Sequence, residues 1–197
     1  APGVIILTAI FTSIFGGVNT LWDRRYGFMN KALTSPISRS AIALGKMSAI
    51  SLIAALQASL IIGIALAIGV TFPNPLMIIP IMGIVILFSL GFSGISVTLA
   101  ATAKSQETFW GMINLLGMPL FMLSPALFPL ELLPNWLAVV AKLNPVTYTV
   151  LLVRELMTGV SEGGVPILIS IAVIFAFVVA MVAIASYVFT IEVNKPF

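Results

Sequence analysis

The chain contains no cysteine and no histidine. Without cysteine there is no disulfide, no thiolate nucleophile and no Cys-held metal. Without histidine a serine nucleophile lacks its usual base, and a zincin-type site lacks its ligands. Asp23 is the sole aspartate, which excludes a paired-aspartate intramembrane protease. No glycine-rich loop ends in Gly-Lys-Ser/Thr: the Gly45-Lys46 pair is followed by Met47, so there is no P-loop for ATP. Charge is scarce as well, at 8% of residues against about 25% in soluble domains. So little charge cannot cover a water-facing surface, and the solvent for most of this chain is lipid.

What is present is apolar. Hydrophobic residues make up 60% of the chain, and the mean hydropathy is +1.21. Charge-free runs cover 1–22, 47–103, 108–130 and 163–191. About 20 apolar residues in a helix cross a hydrocarbon core of about 30 Å, and these runs are continuous rather than alternating, as helices require. The run 47–103 is too long for one crossing and divides at Phe72-Pro73-Asn74-Pro75. The reading is an all-α polytopic membrane protein in a single domain, 1–197. Five spans are expected, at about 3–21, 41–71, 76–103, 109–127 and 165–190. Gly16 and Gly17 suit close helix packing, and a tilt or kink is expected near Gly91 and Gly94. Pro119 and Pro125 lie in the later half of the fourth span. The chain starts Ala1-Pro2-Gly3 without the charged region of a signal peptide.

Segment 126–164 holds Glu131, Lys142, Arg154, Glu155 and Glu162 together with Pro129, Pro134 and Pro145. Each charge at a span centre costs about 2.5–3.5 kcal/mol, so the segment does not cross. Its apolar stretches read as short helices lying at the interface or re-entering the bilayer, with Trp136 and Tyr148 at headgroup level. Arg154 and Glu155 read as solvated outer charges. Asn144-Pro145 reads as a turn, with direct substrate contact as the sharper alternative.

Basic residues orient the bundle. Segment 22–46, the loop 104–108 and the C-terminal tail hold seven Lys/Arg, against two on the other side, Lys142 and Arg154. The positive-inside rule then makes 22–46, 104–108 and the C-terminus cytoplasmic. The net charge of +3 is accounted for by this topology and calls for no nucleic-acid partner. No span interior carries an ionisable residue of the kind that couples ions to transport, and no inverted repeat is visible. The chain reads as a membrane path driven from elsewhere. A passive pore and a membrane assembly subunit stay open on these grounds.

The polar segment 22–40 carries an apolar stripe. Trp22, Tyr26, Met29, Leu33 and Ile37 recur at helical spacing, with Asp23, Arg24, Asn30 and Lys31 off it. A short amphipathic helix is expected at about 23–34, then a turn at Ser35-Pro36 and a helix from Pro36 into the second span. The stripe could lie on anionic lipid, with Lys46 snorkelling, or dock a cytoplasmic partner.

The residues of this segment resemble the first cytoplasmic loop of ABC type-2 exporter permeases, the daunorubicin-resistance-like family. Asp23, Arg24 and Gly27 match a first block, Leu33, Pro36 and Ser38 a second, and Gly45-Lys46 a third. Arg25 and Phe28 stand where the family commonly has Glu and Thr. Far along the chain, Phe128, Pro129, Leu133, Pro134, Trp136, Leu137, Asn144, Pro145, Thr147, Tyr148 and Arg154 resemble the family's segment before its last span. Leu151 and Leu152 stand where an acid is common.

The resemblance implies six spans, with one preceding Ala1, and a plasma-membrane permease that is not itself an enzyme. It implies pairing with a second permease copy, identical or not, and with an ATP-binding-cassette ATPase. ATP and magnesium would be held by the ATPase and no cofactor by this chain; membrane lipids would surround it. Asp23, Arg24, Arg25, Gly27, Met29, Leu33 and Pro36 would couple to the ATPase. Pro129, Pro134, Trp136, Asn144, Pro145 and Tyr148 would form an outer gate. The charge-free spans point to an amphipathic or lipid-like cargo leaving the cytoplasm.

Overall fold

A computed structural model describes residues 2–70, 74–125, 134–159 and 164–192. All regular structure among them is helical: α1 (Pro2–Gly16), α2 (Val18–Arg25), α3 (Phe28–Leu33), α4 (Arg39–Ala67), α5 (Ile78–Thr102), α6 (Gln106–Met122), α7 (Asn135–Leu143), α8 (Pro145–Thr158) and α9 (Ile167–Glu192), with one 3-10 turn at Pro75–Met77. Four stretches are long and apolar enough to cross a membrane: Pro2–Arg25, Arg39–Ala67, Pro75–Thr102 and Ile167–Glu192. They correspond to four of the five expected spans. The remaining one, expected at 109–127, is the 17-residue α6, which ends at Met122 and is about 25 Å long. The divider at 72–75 is described only from Asn74, whose side chain caps the 3-10 turn by accepting from the Leu76 N–H at 3.0 Å.

Helix α5 is central and packs against α1, α2, α4, α6, α8 and α9. Apolar burial cannot by itself drive helices together in lipid, so close approach through small residues matters. A Cβ on Gly17 would stand 2.6 Å from the Ser96 carbonyl oxygen of α5, and one on Gly16 2.8 Å from Ile50 of α4. The Ser96 hydroxyl donates across the same contact to the Ser13 carbonyl at 2.7 Å. Helix α5 runs unbroken through Gly91 and Gly94, from Ile78 to Thr102. Both glycines admit α9: their Cβ positions lie 2.7 Å from Phe177 and 3.1 Å from the Met181 carbonyl. Thr12 and Gln57 pair across α1 and α4. Several other hydroxyls in the spans bond back to their own helix, as Ser51 does to the Met47 carbonyl at 2.9 Å, which satisfies them without water; the buried hydroxyls of Ser13 and Ser89 have no such partner among the described residues.

The main core joins Ile5, Ile6, Ile10, Phe88, Phe92, Phe109, Val150 and Val153. Helix α8 is therefore part of the bundle rather than a surface lid. Leu152 packs with Ile174 and Val178 of α9. Asn144, just before α8, bonds to the Leu120 carbonyl of α6, fourteen residues beyond Gln106 and so about 21 Å up that helix. Helices α7 and α8 thus form a hairpin whose corner lies inside the bundle. From that corner α8 rises about 21 Å over its 14 residues. Non-helical backbone at such depth is tolerated only where protein covers it, and Asn144 is 5% exposed.

Candidate functional site

Two constellations emerge, at opposite heights of the bundle. The first is an elbow at the end that carries segment 22–46. Helix α2 continues the first crossing and stops at Gly27, whose φ of +77° lies in the left-handed region that glycine adopts without strain. The open space around it leaves room for the sharp turn into the six-residue α3. The helix expected over 23–34 is accordingly two pieces, with Trp22–Arg25 belonging to the crossing itself. The following helix starts at Arg39 rather than Pro36. Ser38, in extended backbone, caps it by accepting from the Ala41 N–H at 3.3 Å, a standard helix start.

The elbow is braced to three spans. The Arg24 guanidinium donates to the carbonyls of Ala100, at 3.1 Å, and Ala101, in the last turn of α5. Arg39 reaches the Thr190 carbonyl of α9 at 3.4 Å. Both cations sit where helix C-terminal carbonyls lack partners and the dipole is negative. Asp23 and Lys46 form an ion pair from α2 to α4, so Lys46 is held by Asp23 rather than snorkelling to lipid. Nearby, Ser105 caps α6 through the Thr108 N–H at 3.1 Å. The Glu107 carboxyl is held below its ordinary range, first by its own backbone N–H, then by the Ser105 hydroxyl, with a smaller pull from Arg25.

The residues expected to couple do not share one environment. Asp23 and Arg24 brace; Arg25 and Pro36 are exposed. Met29, expected on the docking stripe, is 3% exposed and packs with Ala43, Met47, Val97 and Phe189. It is a core residue, because the turn at Gly27 rotates α3 so that this position meets α4, α5 and α9. The Leu33 side chain lies outside the described residues. In place of Met29 the elbow presents Trp22, Tyr26, Phe28 and Ile37, which are 44%, 69%, 61% and 56% exposed, together with Arg25 and Lys31. Phe28, read from the sequence only as a departure from a motif, is part of this apolar face.

The second constellation is the buried corner between α7 and α8. Asn144 caps α8 by accepting from the Val146 N–H at 3.0 Å and donates to the Leu120 carbonyl at 2.6 Å. The Thr147 hydroxyl donates to the Ala141 carbonyl at 2.6 Å, and the Tyr148 hydroxyl to the Lys142 carbonyl at 2.8 Å. Arg154 donates to the Pro125 carbonyl at 3.2 Å. Arg154, read above as a solvated charge, is half-buried and holds the chain that follows α6. The corner residues thus bond carbonyls at the C-terminal ends of α6 and α7, where helical donors run out; the Ala141 carbonyl also accepts the Asn144 N–H at 3.2 Å. Pro145 occupies the first helical position of α8, where its missing N–H costs nothing. Tyr148 is half-buried and packs at the edge of the Leu152, Ile174 and Val178 cluster. Pro134 is the exposed residue before α7. Trp136 lies in α7, its side chain outside the described residues, as is Pro129 altogether.

An apolar groove between α1 and α6, of about 60 Å³, is lined by Ile10, Phe11, Phe15, Ile113, Asn114 and Phe121, among others. Among the described residues no group of acidic side chains stands close enough to hold a metal ion.

A model of the ABC-2 type transporter family matches residues 1–158. The ycf38 transport permease of Cyanophora paradoxa is 30% identical over 156 residues, 79% of this chain and 54% of that protein. Nodulation protein J of Sinorhizobium fredii is 25% identical over 179 residues, covering 89% of this chain and 67% of its own length. The daunorubicin resistance ABC transporter permease protein DrrB1 of Streptomyces coeruleorubidus is 22% identical over 181 residues, 89% of this chain and 64% of that protein. This chain spans about half the length of the ycf38 relatives it matches.

Proposed function

The chain belongs to the ABC-2 type transporter family, and on that premise we propose that it is the membrane-spanning permease of an ATP-binding-cassette exporter. It moves an amphipathic or lipid-like substrate out of the cytoplasm with energy from ATP hydrolysed by a separate subunit. The chain itself is not an enzyme in this reading; ATP and magnesium are held by the partner. Two permease copies, identical or not, enclose the path in the plasma membrane, and the elbow end faces the cytoplasm.

The observation that carries this reading is an exposed apolar face on a braced lever. Trp22, Tyr26, Phe28 and Ile37 offer apolar surface for burial, and Arg25 and Lys31 offer charge for steering. Behind that face, Arg24, Arg39 and the Asp23–Lys46 pair tie the elbow to α5, α9 and α4. A displacement applied at Tyr26 or Phe28 is therefore delivered to three spans together, as rigid-body coupling requires. At the other height, the α7–α8 corner holds the end of α6, so a shift of the bundle reaches the exit through that clasp.

The test is co-purification of the full-length permease with its ATPase. Tyr26→Asp and Phe28→Asp, both on the exposed face, are expected to lose the ATPase while the permease stays folded in detergent. Undiminished recovery of the ATPase with both variants would overturn the docking role.

A further inference from the structure

A hydroxyl inside a span has a local way to be satisfied, by donating to a carbonyl three or four residues back. Ser51 does so at 2.9 Å, Ser93 at 2.9 Å and Thr98 at 2.7 Å. Ser89 does not. It stands near the middle of α5 and is 0% exposed, closed to bulk water and to lipid. Its hydroxyl has no partner among the described residues, so the Val85 carbonyl, four residues back, is not taken. A buried hydroxyl left in that condition is costly.

Ser89 and Ser93, four residues apart, share one face of α5. The Ser93 hydroxyl also reaches the Met47 carbonyl of α4 at 3.4 Å, so this face meets α4. The two helices are consecutive crossings packed together and run antiparallel. One turn back from Ser93 and one turn on from Met47 therefore come to the same level, and the residues there are Ser89 and Ser51. Ser51 is 1% exposed and donates to that same Met47 carbonyl. The oxygens of Ser51 and Ser93 have spent their protons and keep lone pairs. Ser89 has a proton and no acceptor, and no direct bond joins it to either of them. Residues 47–103 carry no charge, so whatever closes this gap is neutral, small, and both donor and acceptor. Water accepts from Ser89 and donates to Ser51 and Ser93, the three partners typical of a buried water.

We propose that Ser89, Ser51 and Ser93 form a water-binding site between α4 and α5 at mid-span. A bridging water is nearly as favourable as a direct hydrogen bond, and its bonds re-form when the two helices shift. Helix α5 is the one to which Arg24 ties the elbow. The site stands whether or not an ATPase docks there.

The direct test is a crystal structure of the full-length permease at a resolution that shows ordered water. A peak within hydrogen-bond distance of both the Ser89 and Ser51 Oγ atoms is expected. A Ser89 hydroxyl bonded to the Val85 carbonyl, with no such peak, overturns the proposal. Substitutions test it a second way, through the sign of a stability change. Removing an orphaned hydroxyl raises stability, whereas removing one that holds a water lowers it. Ser89→Ala should therefore lower the Tm of the full-length permease by about 2–4 °C. Ser51→Ala should lower it too, and the double variant should lose less than the two single losses together, because the second substitution finds the water already gone. A Tm for Ser89→Ala at or above that of the wild type, or fully additive losses, overturns the proposal.

Discussion

Replacing Asn144 should loosen the buried corner by an amount that its two hydrogen bonds set. In Asn144→Ala, α8 loses its cap to the Val146 N–H, worth about 1 kcal/mol. The Leu120 carbonyl, part-buried and bonded at 2.6 Å, loses its donor. A buried carbonyl left unsatisfied costs about 1–3 kcal/mol, and no lipid group can replace the amide. The expected loss is therefore about 2–4 kcal/mol. Asn144→Ser separates the two contributions: serine caps well but is too short to reach Leu120, so it should recover about 1 kcal/mol relative to alanine. Equilibrium unfolding of the purified permease in mixed micelles, titrated with dodecyl sulfate, reads both differences. An Asn144→Ala variant within about 0.5 kcal/mol of wild type, the range of an ordinary surface change, would refute the clasp. Equal stabilities for Ser and Ala would refute the cap.

Two further outcomes follow from the packing and the electrostatics. Gly17→Ala would drive a Cβ to 2.6 Å from the Ser96 carbonyl oxygen, where neither helix backbone yields easily. Thermal unfolding should show a loss of about 1–3 kcal/mol, whereas Gly63→Ala, with open space around it, should be neutral or stabilising by up to about 1 kcal/mol. Glu107 has a folded-state pKa below its unfolded value. Its stabilising contribution is thus complete above the unfolded pKa and is lost as pH falls through the folded one. The stability difference between wild type and Glu107→Gln should be present at neutral pH and vanish in acid. A difference that grows on acidification contradicts the assignment.

The crossings were legible because their signal is local. Long charge-free runs need only a hydropathy reading, and α4, α5 and α9 follow them within a few residues. What the sequence conceals is set by partners far along the chain. The end of α6 cannot be placed from Pro119, which lies inside the helix; the Leu120 carbonyl is held by Asn144, 24 residues later. Arg24 and Arg39 look like free surface cations, yet their acceptors lie 76 and 151 residues away. The stripe through Trp22, Tyr26 and Met29 has helical spacing, but spacing assumes an unbroken helix. Gly27 breaks it, sending Met29 into the core and Phe28 to the surface. The motif around Asn144 was visible as a turn, whereas its burial depended on α6, whose Leu120 carbonyl it bonds.

The elbow is the centre of this account, and cysteine cross-linking tests it most directly. No cysteine occurs among these 197 residues, so single cysteines at Tyr26, Phe28 and Met29 are compared with the unsubstituted permease, whose own adducts set the background. The full-length permease, assembled with its ATPase, is treated with a short bifunctional thiol-to-amine reagent. Tyr26→Cys and Phe28→Cys should give adducts with the ATPase, and Met29→Cys, buried beneath the same helix, should give none. ATPase adducts from position 29 but not from 26 or 28, or from none of the three, would contradict the account.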